Sequence, residues 1–377
     1  MAFSRRWFCQ IFGIAAGLQM ANALSIGFDF GEVGPTQDDG FIRLDRNENA
    51  YGPPPRVMDA IRRAATQASR YPRSQNEDLR NAIAHFHRIE RERVLLGAGC
   101  CDLLRMAAHA FLGRERPLVV ADPTFGASEH YAAVIGAPVI KVPLTRELDH
   151  DLVTMHTRCV NAGTALVYIC NPNNPTGTLT AWKDIEKFVA SLPASAVVIV
   201  DEAYHEYAGV SGMYASLIDK AAVSDRLVVL RTFSIAYGLA GLRVGYAVGS
   251  PKTLDAMRAF ATEDNVNTIA ASAALAALES GDVIREYVRR NDDDRQDFFN
   301  RATERMLKPI DSHANFAFMN MFNPAADVIQ HFRQHGIMVG PQFSSMSTHI
   351  RISFGTPDDM TEFWRVADLL PMHDVPM

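Results

Sequence analysis

From about residue 94 to 250, short apolar runs alternate with amphipathic stretches. The runs Val94–Leu96, Leu118–Ala121, Val139–Val142, Ala165–Cys170, Ala196–Val200, Leu227–Leu230 and Gly245–Val248 read as strands. Several are continuous and β-branched, as strands buried on both faces of a sheet should be. Between them, segments such as Asp102–Leu112 and Ala181–Ser191 read as helices. This alternation predicts an α/β fold, with a large domain built on a mostly parallel sheet flanked by helices.

Beyond about residue 251 the pattern changes. A long charged helix is expected over Ile284–Met306. Short strands follow at Phe316–Met319, Ile337–Val339 and His349–Ser353, with a last helix near Pro357–Leu370. This reads as a smaller α+β domain. The Pro-rich Gly52–Pro55 should start the first helix of the main body. The expected organisation is an arm over 24–60 that contributes to the small domain, a large domain over 61–265, and the small domain over 266–377. A chain of 377 residues exceeds the roughly 250–300 at which single cores stop growing, which agrees with two domains.

The first residues are of another kind. Ser4-Arg5-Arg6-Trp7-Phe8 precedes a mildly apolar stretch from Ile11 to Leu18, then Met20-Ala21-Asn22-Ala23. A charged start, an apolar region too short to span a membrane and a small-residue end read as an export signal over 1–23. The paired arginines resemble a twin-arginine (Tat) signal, which would make the mature chain periplasmic or exported and start it near Leu24. The other reading is an N-terminal arm packing on a dimer partner, with the chain then cytoplasmic.

Composition narrows the partners. The chain is 48% hydrophobic and 21% charged with a formal net charge of −6. No run of Lys and Arg builds the basic stripe that nucleic acids require. The 5 cysteines are too few and too irregular for a disulfide scaffold, and no pair has zinc-ligand spacing. No apolar span follows the first residues. Small molecules and a second copy of the chain remain as partners.

Four stretches carry candidate chemistry. Gly97-Ala98-Gly99-Cys100-Cys101-Asp102 follows a strand and opens a helix, where free N–H groups attract phosphate; alone it is a tight turn. Asn171-Pro172-Asn173-Asn174-Pro175-Thr176-Gly177 lies at the carboxyl end of a strand, where open α/β sheets bind ligands; alone it is an Asn-Pro turn. Asp201-Glu202-Ala203-Tyr204 offers a carboxylate at a strand end, for a cationic ring nitrogen or for a helix N-cap. Arg231-Thr232-Phe233-Ser234-Ile235 and the following residues to Arg243 offer hydroxyls and a guanidinium to an anion.

In order, spacing and wording these stretches resemble the fold-type I aminotransferases that use pyridoxal 5'-phosphate (PLP), and most of all their histidinol-phosphate branch. The resemblance runs from about Leu44 to Thr356 and takes in Asn47-Glu48-Asn49-Ala50-Tyr51-Gly52, Arg70-Tyr71-Pro72 and His349-Ile350-Arg351-Ile352-Ser353. It implies that backbone groups of Ala98, Gly99 and Cys100 hold the PLP phosphate beside Thr232, Ser234 and Arg243. Phe125 would stack on the pyridine ring, and Asn174 and Tyr204 would bond its phenolic oxygen. Asp201 would keep the ring nitrogen protonated, which makes the ring an electron sink. Tyr71 would reach the phosphate of a neighbouring subunit, implying a homodimer. Arg351 would clamp an amino-acid carboxylate, with Tyr51 and Asn49 at the substrate entrance. Read as residues alone, Phe125 and Tyr71 are equally core aromatics.

One position departs from the family. Where it keeps a lysine after the serine, this chain has Ile235. That lysine forms the Schiff base to the cofactor and moves a proton during turnover, and isoleucine does neither. Noncovalent PLP binding remains expected. The other contacts supply several charge-assisted bonds of about 1.5–3 kcal/mol each, against about 8 kcal/mol for micromolar affinity. Gly340 after Gly336-Ile337-Met338-Val339, and Glu263-Asp264 before Asn265-Val266-Asn267, weaken the case for histidinol phosphate itself. Three functions stay open: an aminotransferase compromised at Ile235, a PLP-binding protein without turnover, and a PLP enzyme of another reaction type. For the last, His205 and Tyr237 are the nearby candidate bases.

Overall fold

The apolar runs do assemble as strands. In the computed structural model, which describes residues 40–163, 166–209 and 211–371, seven form one sheet. They are β2 (Val94–Gly97), β3 (Leu118–Asp122), β4 (Val139–Pro143), β5 (Leu166–Cys170), β6 (Val197–Asp201), β7 (Leu227–Thr232) and β8 (Gly245–Val248); β1 (Ile42–Leu44) lies elsewhere. The order across the sheet is β2-β8-β7-β6-β5-β3-β4. Strand β8 runs antiparallel to both its neighbours; the other pairings are parallel. The sheet is thus mostly parallel, as expected.

Continuous apolar sequence serves strands covered on both sides. Every residue of β5 and β7 is buried. Alternate residues feed two cores: Val198 and Val200 enter one, Ile199 the other. Helices close both faces. Trp182–Ser191 buries Ile185, Phe188 and Val189, one stripe at helical spacing. Thr268–Leu278 is apolar almost all round, and packs between helices Pro55–Ala65 and Arg73–His87 in the core of the large sheet.

A separate core forms from Leu44 and residues between Phe298 and Ala367. Here β1 pairs in parallel with β10 (Ile337–Val339), and β9 (Phe316–Asn320) pairs antiparallel with β11 (His349–Ser353). Leu44, Phe298, Phe332, Phe363 and Trp364 fill this core, with Phe332 and Phe363 stacked at 4.8 Å. The last helix, Pro357–Ala367, starts at Thr356 with a full capping box closed by Asp359. Strand β1 is not among the expected strands, since three residues carry too little pattern. From Phe41 onward the chain is one compact unit. The expected export signal over 1–23 lies outside the described residues. Among the described residues, no helix is long and apolar enough to cross a membrane.

Candidate active site

The candidate residues converge because the parallel strands end on one edge. Loops after β2, β3, β5, β6 and β7 carry Gly97–Cys100, Pro123–Phe125, Asn171–Gly177, Asp201–Tyr204 and Thr232–Ile235. Ligands in open α/β sheets sit at this edge.

At one end is a phosphate-sized set of donors. Helix Cys100–Phe111 starts at Gly99 without a side-chain cap, so its first N–H groups face outward. The Ala98 N–H already donates to Asp102 Oδ2 at 3.1 Å, and the Gly99 N–H to Gly97 O at 2.7 Å. Of the three backbone groups expected to hold phosphate, Cys100 is the one left at the helix start. Gly99 has φ +82°, and a Cβ there would collide with Arg243 Nη2. The guanidinium of Arg243 therefore lies against the turn, with Nη1 donating to Ser234 Oγ at 3.3 Å. Thr232 Oγ1 accepts the Ser234 N–H at 3.0 Å.

At the centre is Asp201. It is buried, and among the described residues no arginine, lysine or histidine pairs with it. Its contacts are the Tyr168 hydroxyl, which donates to Oδ2 at 2.9 Å, and the Ala203 N–H at 3.2 Å. Burial pushes the Asp201 carboxyl up to about 6, and the Tyr168 bond only partly opposes this. A buried lone carboxylate fits a ligand that brings its own cation, as a protonated pyridine does.

Asn174 and Arg351 meet across 177 residues, Arg351 Nη1 donating to Asn174 Oδ1 at 2.6 Å. Arg351 Nη2 donates to Asp45 O. Its Nε is buried and unpartnered, with the guanidinium carbon 5.7 Å from the Phe316 ring. Burial lowers its pKa. Such a cation is suited to a carboxylate. Gly340 lies against Arg351, and a Cβ there would come 2.9 Å from Arg351 Cβ. The strand end thus admits no side chain beside this arginine.

Tyr204 is buried, edge-on to Phe316 at 5.3 Å, and accepts from Asn47 Nδ2 at 2.8 Å. Phe125 is half-buried against the same apolar cluster. Its loop is tied to the Asn174 loop through Asn173, whose Oδ1 accepts from Thr124 Oγ1 at 2.8 Å. Asn49 Nδ2 donates to Ala236 O at 2.9 Å. Tyr51 donates to Asp294 Oδ2 at 2.7 Å, under the guanidinium of Arg290 at 4.3 Å. Tyr71 is 88% exposed, so it is no core aromatic of this chain.

Ile235 is 9% exposed and packs in the apolar cluster that also holds Tyr204, Cys170, Tyr168 and Cys100. The six lysines are elsewhere: Lys141, Lys187, Lys220 and Lys252 pair with surface acids, Lys183 lies over Trp182, and Lys308 is exposed. Neither candidate base is free. His205 Nδ1 is bonded to Tyr214 OH at 2.9 Å, and burial pulls its pKa down to about 2. Tyr237 bonds Glu206, and burial raises its pKa.

Residues 39–366 match the sequence profile of aminotransferase class I and II. The chain belongs to that family. Among its relatives is histidinol-phosphate aminotransferase 1 of Bacillus cereus, 35% identical over 323 residues that cover 85% of this chain and 86% of the relative. A crystal structure from Erwinia carotovora atroseptica superposes with TM-score 0.84 at 32% identity, covering 87% of this chain and 95% of the other. The Sinorhizobium meliloti histidinol-phosphate aminotransferase, solved with pyridoxal-5'-phosphate, gives TM-score 0.81 at 28% identity, covering 87% and 89%. The fold is that of the fold-type I PLP aminotransferases, and PLP is the cofactor of the family. The residues present fit it: uncapped helix N–H groups beside Arg243 for phosphate, and Asp201 lacking a cation.

Two features carry no local sequence signal. Asn47 lies in the stretch Asn47–Gly52, where no pattern marks it for a role. The Glu202–Arg231 pair, at 2.9 Å and buried, joins two residues of separate stretches. Their adjacency follows from β6 and β7 being neighbours, which no local signal announces.

Proposed function

We propose that this chain binds PLP without a covalent link, takes an amino-acid carboxylate at Arg351, and is an aminotransferase slowed at one position, Ile235. The observation that supports this is the burial of Ile235 in an apolar cluster with Tyr204, beside an Asp201 that lacks a cation and an Arg243 that lies against the helix start. PLP, when bound, supplies an electron sink for the carbon that bears the amino group. The chain does the rest. Cys100 N–H, Thr232, Ser234 and Arg243 bind phosphate, and Asp201 holds the ring-nitrogen proton. Asn174 and Tyr204 hold the phenolic oxygen, and Phe125 covers the ring. No side chain stands ready at Ile235 to move a proton, and losing a positioned acid–base group costs about 10²–10⁴-fold in rate. The exposed Tyr71 supports a homodimer in which that ring is covered by the partner. With Gly340 leaving no side chain beside Arg351, a substrate with a single carboxylate is favoured over a phosphorylated one.

The test adds PLP to purified chain and to Ile235→Lys. The native chain should show a saturable visible band, with no mass retained after borohydride reduction and denaturation. Ile235→Lys should retain the cofactor mass and gain transamination by at least about 100-fold. A reduced adduct on a native lysine, or fast amino-group exchange by the native chain, would overturn this reading.

A further inference from the structure

The Tyr204 hydroxyl and the Asn47 side chain meet at 2.8 Å although 157 residues separate them. Both are buried. A hydroxyl has one hydrogen and two lone pairs, so a neighbour already committed as donor decides where that hydrogen points. Asn47 is committed by Ser353. Ser353 Oγ accepts the Asn47 backbone N–H at 2.8 Å and donates to Asn47 Oδ1 at 3.2 Å. Reversing the Asn47 amide would put two donors on the serine oxygen and deprive its hydrogen of that acceptor. Oδ1 therefore faces Ser353, and Nδ2 faces Tyr204. The backbone is held as well. Asn47 has φ 56°, a left-handed conformation that asparagine tolerates, and Asn315 Nδ2 donates to Asn47 O at 2.8 Å and to Glu48 O at 3.2 Å.

A parallel arrangement fixes Asn174. Its Oδ1 accepts from Arg351, which leaves its amino end as the free donor. We propose that Asn47 is a positioning residue: by donating to the Tyr204 oxygen it makes Tyr204 a hydrogen donor toward the ligand, on the same ligand oxygen as Asn174. This rests on the reading that the site takes PLP, whose phenolic oxygen is the acceptor. Two donors aimed at that oxygen favour its ionised form. Without Asn47 the Tyr204 hydroxyl is free to turn, and the ligand loses one oriented donor.

The experiment is a double-mutant cycle on the full chain, with PLP as probe. Affinity is read from the saturable visible band, and ionisation from the pH midpoint of that band. Wild type, Asn47→Ala, Tyr204→Phe and the double variant are compared, with thermal melts to confirm folding. Asn47→Ala should weaken PLP about tenfold, the loss of one oriented bond, and raise the pH midpoint. Tyr204→Phe should do the same, and the double variant should be no worse than Tyr204→Phe. Additive losses, the mark of two independent structural roles, would overturn the assignment. So would an unmoved midpoint in Asn47→Ala. Should Asn47→Ala not fold, Asn47→Asp decides: it keeps the shape but accepts the Tyr204 hydrogen, so its loss should exceed tenfold and vanish on top of Tyr204→Phe. A wild-type chain with no saturable band overturns the PLP reading and this inference together. A wild-type band left unmoved by the Asn47 variants overturns this inference alone.

Discussion

Asp201 and Glu202 are consecutive, acidic and buried, yet their surroundings are opposite. Asp201 shares a core face with Tyr168 and Ile199 and has no cation, so burial raises its pKa to about 6. Glu202 turns the other way, as alternation along a strand requires. There its Oε2 accepts from Arg231 at 2.9 Å and from Ser216 Oγ at 2.8 Å, and its Oε1 from the Leu217 N–H at 2.8 Å. Arg231 Nη2 also donates to Ser216 Oγ at 2.9 Å. One carboxylate has its cation within the chain; the other has hydrogen bonds but no cation. A buried carboxylate without a cation marks the place of a ligand, and a paired one marks the frame that holds it.

The largest effect should come from breaking the complete side. Glu202→Ala takes the nearest carboxylate from the buried Arg231, leaving it Glu206 at 3.9 Å, and should cost about 3 kcal/mol of stability, measured by urea unfolding. A loss below about 1 kcal/mol would erase the contrast. Asp201→Asn should act in the other direction on the cofactor-free chain. The folded pKa of about 6 lies above the ordinary 3.8, so between these values the folded chain holds more protons than the unfolded one. Stability is then lost as pH rises from about 4 to 6, and the penalty persists above that, at about 3 kcal/mol. The asparagine variant should therefore melt higher than wild type at pH 8 and equally at pH 4, while binding PLP far more weakly. A melting difference that ignores pH would show that Asp201 carries no such penalty. The smallest effect is expected at Tyr71, whose removal to alanine should change monomer stability by less than about 0.5 kcal/mol. Its signature is elsewhere: PLP affinity should fall only at concentrations where sedimentation shows the chain to be dimeric. Equal affinity of wild type and Tyr71→Ala in the dimer would remove Tyr71 from the site.

Much of this was legible along the chain. The strands β2 to β8 lie within one or two residues of their apolar runs, because burial on both faces leaves continuous hydrophobic sequence. The four candidate stretches sit at strand ends, two of them marked by their glycines, prolines and asparagines and the others by the apolar runs they follow. That residue 235 is isoleucine is a matter of sequence alone. What the motifs did not tell is which donors are already taken. The Ala98 and Gly99 N–H groups are engaged by Asp102 and Gly97, and His205 is held by Tyr214. Strand β1 is too short to signal, and its pairing with Ile337–Val339 joins segments far apart in the sequence.

The sequence by itself determined the fold class and the order of the motifs, and it puts isoleucine at position 235. These depend on local residue type and on period, which are properties of short segments. Tertiary structure decided the pairings: Asn47 with Tyr204, Arg351 with Asn174, Arg231 with Glu202. Each joins segments from 29 to 177 residues apart. Hydrogen-bond direction depends on what stands opposite, and only the folded chain brings the opposite side into place.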